Sequence, residues 1–160
     1  MQILEDIFVS ESIEVRTTPN KVFDFLCNIV DDDSFRAWHP QDHVTFRWLK
    51  GLPWQEGSIA YSEEYLHGKL QKAKIIVTKV VPNRKIIYVP LSRYIRKFVP
   101  EMGFHVEPRE KYCVFTATSH GRFPRLIKFL LKKKYDKNLL SVIQHIKEEG
   151  ENLKKALESK

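Results

Sequence analysis

The stretch PRLIKFLLKKKYDKNLLSVIQHIKEEGENLKKALESK, Pro124 to Lys160, decides how the rest of the chain has to be arranged. Leu126, Ile127, Leu130, Leu131, Tyr135, Leu139, Val142, Ile146, Leu153 and Leu157 recur at three- and four-residue steps, the period of an amphipathic helix. No proline follows Pro124, and Gly150 is the position expected to loosen the run. A helix this long with one apolar stripe must lie across another layer. That layer is written upstream, where the period drops to two.

Working back from Pro124, Met102–Val106 and Lys111–His120 read as a hairpin around Glu107-Pro108-Arg109-Glu110. Lys85–Leu91 reads as a strand in which Pro90 predicts an edge or a bulge. Lys69–Val81, Ser58–Leu66 and Val44–Leu49 read as further strands, the first two joined at His67-Gly68. At the front, Ile7–Arg16 alternates as a strand. Thr18-Pro19 then opens a helix to about Ile29, and Asp31–Ser34 caps a second short one ending near Trp38. The expectation is an α+β fold in which a curved antiparallel sheet wraps a long C-terminal helix, with two short helices after the first strand. At 160 residues without repeats or linkers, residues 1–160 are expected to form one domain.

Composition narrows the function classes. With 42% hydrophobic and 29% charged residues the chain has the balance of a globular protein and not of a disordered one. Cys27 and Cys113 are far apart and in no CxxC spacing, so they read as reduced thiols in the cytoplasm. No apolar run approaches the roughly 20 residues that span a bilayer, so no transmembrane segment is expected. MQILEDIFVS carries acids where a signal peptide needs bases. The net charge of +7 is concentrated at Arg122, Arg125, Lys128, Lys132, Lys133, Lys134 and Lys137, with only Asp136 against them. The plainer reading of residues 122–137 is a solvated helix face. The alternative is a surface for nucleic acid or an anionic membrane.

The chemistry concentrates in Arg36-Ala37-Trp38-His39-Pro40-Gln41-Asp42-His43, where Pro40 stops helix continuation and biases His39 toward extended backbone. Histidines at the mouth of a strand are well placed to enter a cavity. His145 and Glu149, four apart, leave the same helix face one turn from each other. The plainer reading of such a pair is a surface ion pair. The sequence holds no Ser-His-Asp set, GxSxG elbow, P-loop or Rossmann glycines.

The order of elements, with Ser10–Ile13, the Thr18-Pro19 to Leu26 helix, Trp38 and Gly57-Ser58, resembles the START-like or SRPBCC superfamily, which includes polyketide cyclases. The resemblance covers the whole chain and implies a helix-grip fold with an apolar ligand cavity. A narrower resemblance is to the diacetylphloroglucinol hydrolases of that superfamily. They hold a metal with two His and two Glu and hydrolyse a carbon–carbon bond beside an aryl ketone. Carried onto this chain, that resemblance implies His39 from the WHP loop, Glu63 or Glu64 from a following strand, and His145 and Glu149 from the last helix. The histidine-to-glutamate spacing is tighter than in those hydrolases, and the N-terminal segment that they carry ahead of the grip domain is not expected here.

Periodicity alone leaves Glu63 and Glu64 open, since one must face the cavity and the other away; the resemblance favours Glu64. His39 is the first choice of ligand. His43 is then a supporting or catalytic histidine, and Asp42 either orients an imidazole N–H or meets substrate. Two imidazoles and two carboxylates suit Zn²⁺, with Mn²⁺, Fe²⁺ or Ni²⁺ as alternatives. Trp38, Tyr61, Tyr65 and Tyr88, with Trp48, Trp54 and Phe115, are the candidate cavity wall, fitting a hydrophobic or aromatic small molecule. His67, His105 and His120 read as ordinary histidines without partners. The expected function is a metal-dependent hydrolase of a small aromatic or polyketide-like ketone. The alternative is a metal-free carrier of a hydrophobic molecule or lipid.

Overall fold

The computed structural model describes residues 3–159. Seven strands, β1 (Leu4–Val15), β2 (His43–Lys50), β3 (Ile59–Leu66), β4 (Lys69–Val81), β5 (Lys85–Pro90), β6 (Glu101–Pro108) and β7 (Cys113–Pro124), form one antiparallel sheet in the order β1-β7-β6-β5-β4-β3-β2. Strands β2 to β7 therefore make a simple meander, and β1 closes beside β7. Because β1 and β2 lie at opposite edges, the chain between them must cross the sheet. It does so through α1 (Pro19–Cys27) and α2 (Asp32–Trp38).

Local chemistry explains these joints. Pro19 occupies the first helical turn of α1, where a missing N–H costs nothing. Asp31 caps α2, accepting from the Ser34 backbone N–H at 2.8 Å while the Ser34 hydroxyl accepts from the Asp31 N–H at 3.1 Å. The two-residue turn His67-Gly68 has φ of 58° and 71°, the left-handed pair that matches strand twist in a tight hairpin. Pro90 ends β5 beyond the last residue paired to β6, Tyr88, so its lost N–H breaks no ladder there. The expected edge or bulge is instead a strand end inside the sheet.

The last helix differs from the single rod that its periodicity predicts. It is divided into α3 (Arg125–Leu130) and α4 (Lys132–Glu158), with Leu131 at φ −114° and ψ 36° between them. Gly150 does not loosen α4, which runs unbroken through it; the residue is buried against Ile13 of β1. At the far end Glu158 accepts from the Arg16 backbone N–H at 2.8 Å and from Lys154 at 3.2 Å, clasping α4 to the end of β1.

The core lies between the inner sheet face, α1, α2 and the second half of α4. Val15, Leu26, Ile86, Phe115 and Leu153 are fully buried in it. Each such side chain contributes about 1.5–3 kcal/mol by leaving water. No helix among the described residues is long and apolar enough to cross a membrane. The architecture is the α+β helix-grip arrangement that the sequence predicts.

Candidate metal centre

Four side chains meet where α4 passes over the β2–β3 end of the sheet. His43 opens β2, and its Cα partner across the ladder is Glu64 of β3, so both project from the inner face. His145 and Glu149 come down from α4. His43 Nε2 lies 2.9 Å from Glu149 Oε1 and 3.6 Å from Glu64 Oε2. His145 Nε2 lies 3.1 Å from Glu149 Oε1 and 3.5 Å from Glu64 Oε2. One donor atom from each of the four residues lies within 4.8 Å of the other three. Ligands about 2.0–2.2 Å from a tetrahedral Zn²⁺ stand roughly 3.3–3.6 Å apart. The two separations to Glu64 match that figure, and the two to Glu149, 2.9 and 3.1 Å, are shorter.

The far nitrogens of both rings are already committed. The Phe35 carbonyl can only accept, so His43 donates to it through Nδ1–H at 2.9 Å, with the Phe35 ring stacked on the imidazole at 3.7 Å. His145 donates through Nδ1–H to Asp42 Oδ2 at 2.9 Å. Each Nε2 is thereby left to the centre of the cluster, where it faces carboxylate oxygen. A lone pair 2.9 Å from a carboxylate needs a cation or a proton between them. Two protons or one divalent ion supply the same charge, so the donor set fits a metal such as Zn²⁺.

Burial is the largest influence on His145 and opposes its charging. The hydrogen bond and charge of Glu149, with those of Glu64, outweigh burial and raise the imidazole to about 12. Burial likewise pushes Glu149 up, but the His145 and His43 imidazoles bring it down to about 2. A tightly paired, buried acid–base cluster of this kind marks functional sites more often than surface ion pairs do.

Several expectations are corrected by this geometry. His39, the first choice of ligand, is not in the four-residue cluster; its Nδ1 accepts the Asp42 backbone N–H at 3.1 Å and its Nε2–H donates to Glu148 at 2.7 Å. It also stands 3.5 Å from the Asp42 carboxylate and so buttresses that residue. His43, expected to support or catalyse, takes the place beside Glu64, because the loop makes one more turn before the strand starts. Asp42 sits behind His145, accepting from its Nδ1–H, and is not among the side chains that line the cavity. His39, Asp42 and His145 form a second, three-residue grouping of donor atoms.

Glu63 leaves the opposite face of β3, where it accepts from the Tyr61 hydroxyl at 2.7 Å and pairs with Lys72 at 3.7 Å. Tyr61 lies under the Arg47 guanidinium on that outer face, Tyr65 is 45% exposed, and neither lines the cavity. The cause is strict alternation: once Ala60 is buried, Ser62, Glu64 and Leu66 must share its side. His120 also has a partner, Asp6 at 2.8 Å. Glu148 was not foreseen, since a carboxylate beside a helical Glu reads as solvated.

A cavity of about 290 Å³ opens from the cluster between sheet and α4, with Glu64, His145 and Glu149 in its wall. Trp38, Trp54, Tyr88 and Phe104 form the aromatic side, with ring centroids of Trp54 and Tyr88 5.4 Å apart. Trp48 and Phe115 pack outside it in the core. Trp38 is fixed by an N–H bond to the Glu149 carbonyl at 3.0 Å. Burial, reinforced by the charges of Glu149 and Glu64, pushes the Tyr88 phenol above its ordinary range and keeps it protonated.

No protein-family model and no curated protein matches the sequence. Solved structures do. The KanY protein superposes with a TM-score of 0.70 at 15% identity, over 96% of this chain and 99% of its own. Norcoclaurine synthase from Thalictrum flavum, in complex with dopamine and hydroxybenzaldehyde, gives 0.66 at 12% identity over 98% and 90%. A polyketide cyclase-like protein from Corynebacterium glutamicum gives 0.58 at 19% identity over 96% and 93%. The chain shares the helix-grip fold of these structures. At these identities the likeness concerns the fold and carries no chemistry with it.

Proposed function

We propose that this START-like chain is a metal-dependent hydrolase of a small aromatic or polyketide-like ketone, with Zn²⁺ or a similar ion held by His43, Glu64, His145 and Glu149. The observation that carries the reading is the convergence of two buried imidazole nitrogens and two carboxylates at 2.9–3.6 Å on the wall of an aromatic cavity. A divalent metal supplies Lewis acidity there, polarising a carbonyl and making water acidic near neutrality. The chain's own residues do the rest. Asp42 and the Phe35 carbonyl fix the two imidazoles by their Nδ1–H groups. Trp38, Trp54 and Phe104 offer flat apolar surfaces to an aryl ring and exclude water from it. The Tyr88 phenol, kept protonated, is placed to donate a hydrogen bond to a ligand oxygen. The ketone-hydrolase assignment draws on the diacetylphloroglucinol-hydrolase resemblance. The free thiols of Cys27 and Cys113 fit a cytoplasmic setting.

One observation favours a second reading, a metal-free binding protein for a hydrophobic small molecule. With both histidines protonated, the cluster satisfies itself by hydrogen bonds of 2.9 and 3.1 Å to Glu149. Elemental analysis of protein purified without chelator separates the two. Near-stoichiometric metal in the parent, lost in His145→Ala and Glu149→Ala, supports the hydrolase. A parent that takes up no metal even from excess zinc leaves the binding protein.

A further inference from the structure

The break at Leu131 changes what the α3 side chains do. In a continuous rod, Ile127 and Leu131 would extend the inward stripe of α4 through Tyr135 and Leu139, with Leu126, Phe129 and Leu130 on its other faces. In the structure they are turned to solvent, with Leu126 65%, Phe129 77% and Leu130 66% exposed. Phe123 beside them is also exposed. A contiguous apolar surface of this kind marks an interaction site in a folded protein.

The patch is held in place and strongly basic. The Arg125 N–H donates to the Ile3 carbonyl at 3.0 Å, and Lys128 pairs with Glu5 at 2.8 Å, fixing α3 to the start of β1. Arg122 is paired with Asp6. Arg125, Lys132, Lys133, Lys134 and Lys137 have no carboxylate partner among the described residues. Aliphatic side chains framed by free cations match an acyl layer under anionic headgroups. They match nucleic acid poorly, since three of the four most prominent side chains, Leu126, Leu130 and Leu131, offer no aromatic platform for a base. A second copy docked on the same patch would set like charges against each other.

A second cavity, also of about 290 Å³, opens beside this surface. Phe123, Tyr135 and Leu139 line it, and it shares Val99, Ser119 and Val142 with the cavity at the metal cluster. The two cavities are thus neighbours, separated only by these shared side chains.

We propose that α3 and its basic flank form a docking surface for an anionic membrane, from which an apolar ligand enters the cavity. Phe129 and Leu130 enter the acyl boundary, and Lys132, Lys133 and Lys134 lie at headgroup level. The proposal does not depend on the metal. Its test is flotation of the full chain with vesicles of phosphatidylcholine alone, or of phosphatidylcholine and phosphatidylserine in equal parts, at rising salt. The mixed vesicles are expected to carry the protein and the neutral ones not, with binding falling as salt rises. Phe129→Ser and Leu130→Ser should each weaken it about tenfold. Replacing Lys132, Lys133 and Lys134 together by Gln should weaken it about a hundredfold. These side chains are exposed, so circular dichroism should be unchanged. No binding to mixed vesicles overturns the proposal. So does a dimer that Phe129→Ser dissociates, which would make the face an interface between copies. Binding to an RNA oligonucleotide that survives Phe129→Ser and Leu130→Ser but not the lysine changes, with no vesicle binding, overturns it in favour of nucleic acid.

Discussion

His43 and Glu64 are cross-strand partners at the first rung of the β2–β3 ladder, and their side chains meet 3.6 Å apart on the inner face of the sheet. Half of the candidate metal site is thus set by strand register. The other half, His145 and Glu149, is set by helical pitch, so the site needs both layers docked. A one-residue slip between β2 and β3 would turn one member outward.

Two histidines four residues apart are expected to behave differently. His43→Ala removes a donor from the cluster and should abolish stoichiometric zinc. His39→Ala removes the support behind Asp42 and the bond to Glu148, and Asp42→Asn the negative charge of the group that accepts from His145; each should weaken zinc about 10- to 100-fold while leaving a filled site at saturating metal. Competition with a chelator of known affinity reads both. Loss of zinc in His39→Ala with zinc retained in His43→Ala would place the metal in the His39–Asp42–His145 grouping instead.

Metal binding should expel protons. With His145 raised to about 12, the metal-free protein at pH 7 holds a proton on this ring, and a ligand nitrogen cannot keep it. Zinc titrations in buffers of different ionisation enthalpy should show at least one proton released, and affinity should climb with pH across the neutral range. In the metal-free fold the signs differ. The raised His145 stabilises below its unfolded value near 6.5, and that contribution is lost as pH climbs toward 12. The depressed Glu149 stabilises above about 4.5, and that contribution is lost as pH falls through about 2. Chelation should also lower the midpoint of thermal unfolding by several degrees, since metal at a hundred times its Kd adds about 2.7 kcal/mol.

The two adjacent glutamates of β3 offer a matched pair. Glu64→Gln should lose metal; Glu63→Gln, on the outer face with Tyr61 and Lys72, should keep it. Tyr88→Phe should keep the metal too, yet weaken a phenolic ketone by roughly 3- to 10-fold if its hydroxyl donates to the ligand. Metal content and ligand titration of the three variants suffice to decide.

The parts of this site that follow a period were legible, and those that do not were not. His145 and Glu149 share a face because an α-helix puts positions four apart together. The choice between Glu63 and Glu64 needed one further fact, the burial of Ala60, which the alternation alone does not contain. His39 and His43 lie between the end of α2 and the start of β2, where no period applies, and Pro40 marks the loop without saying which of the two meets Glu64. The division at Leu131 is similar. Its apolar neighbours continue the helical pattern, and nothing in their identity marks a carbonyl released there. The pairing of β3 with β4, β4 with β5 and β6 with β7, by contrast, follows from short turns that force neighbours together, so most of the meander was readable before any register was known, whereas β1 beside β7 is set by no local turn.

Gly150 gives the last test, and its sign depends on space. It lies one residue beyond Glu149 in the middle of α4, buried, with helical backbone on both sides. Glycine there costs about 1 kcal/mol relative to alanine, through the greater freedom it loses on folding. A Cβ at this position would meet Ile13 Cγ2 of β1 at 3.4 Å, an ordinary van der Waals contact, so alanine fits without moving the sheet. Gly150→Ala is therefore expected to raise the urea midpoint by an amount equivalent to about 0.5–1 kcal/mol, with zinc affinity unchanged. Gly150→Leu has no such room and should push α4 off β1, destabilising by about 1–3 kcal/mol and drawing Glu149 away from His43 with it. Were Gly150→Ala to destabilise or to weaken zinc, the helix would sit closer to β1 than a methyl group allows, and close approach would explain the glycine.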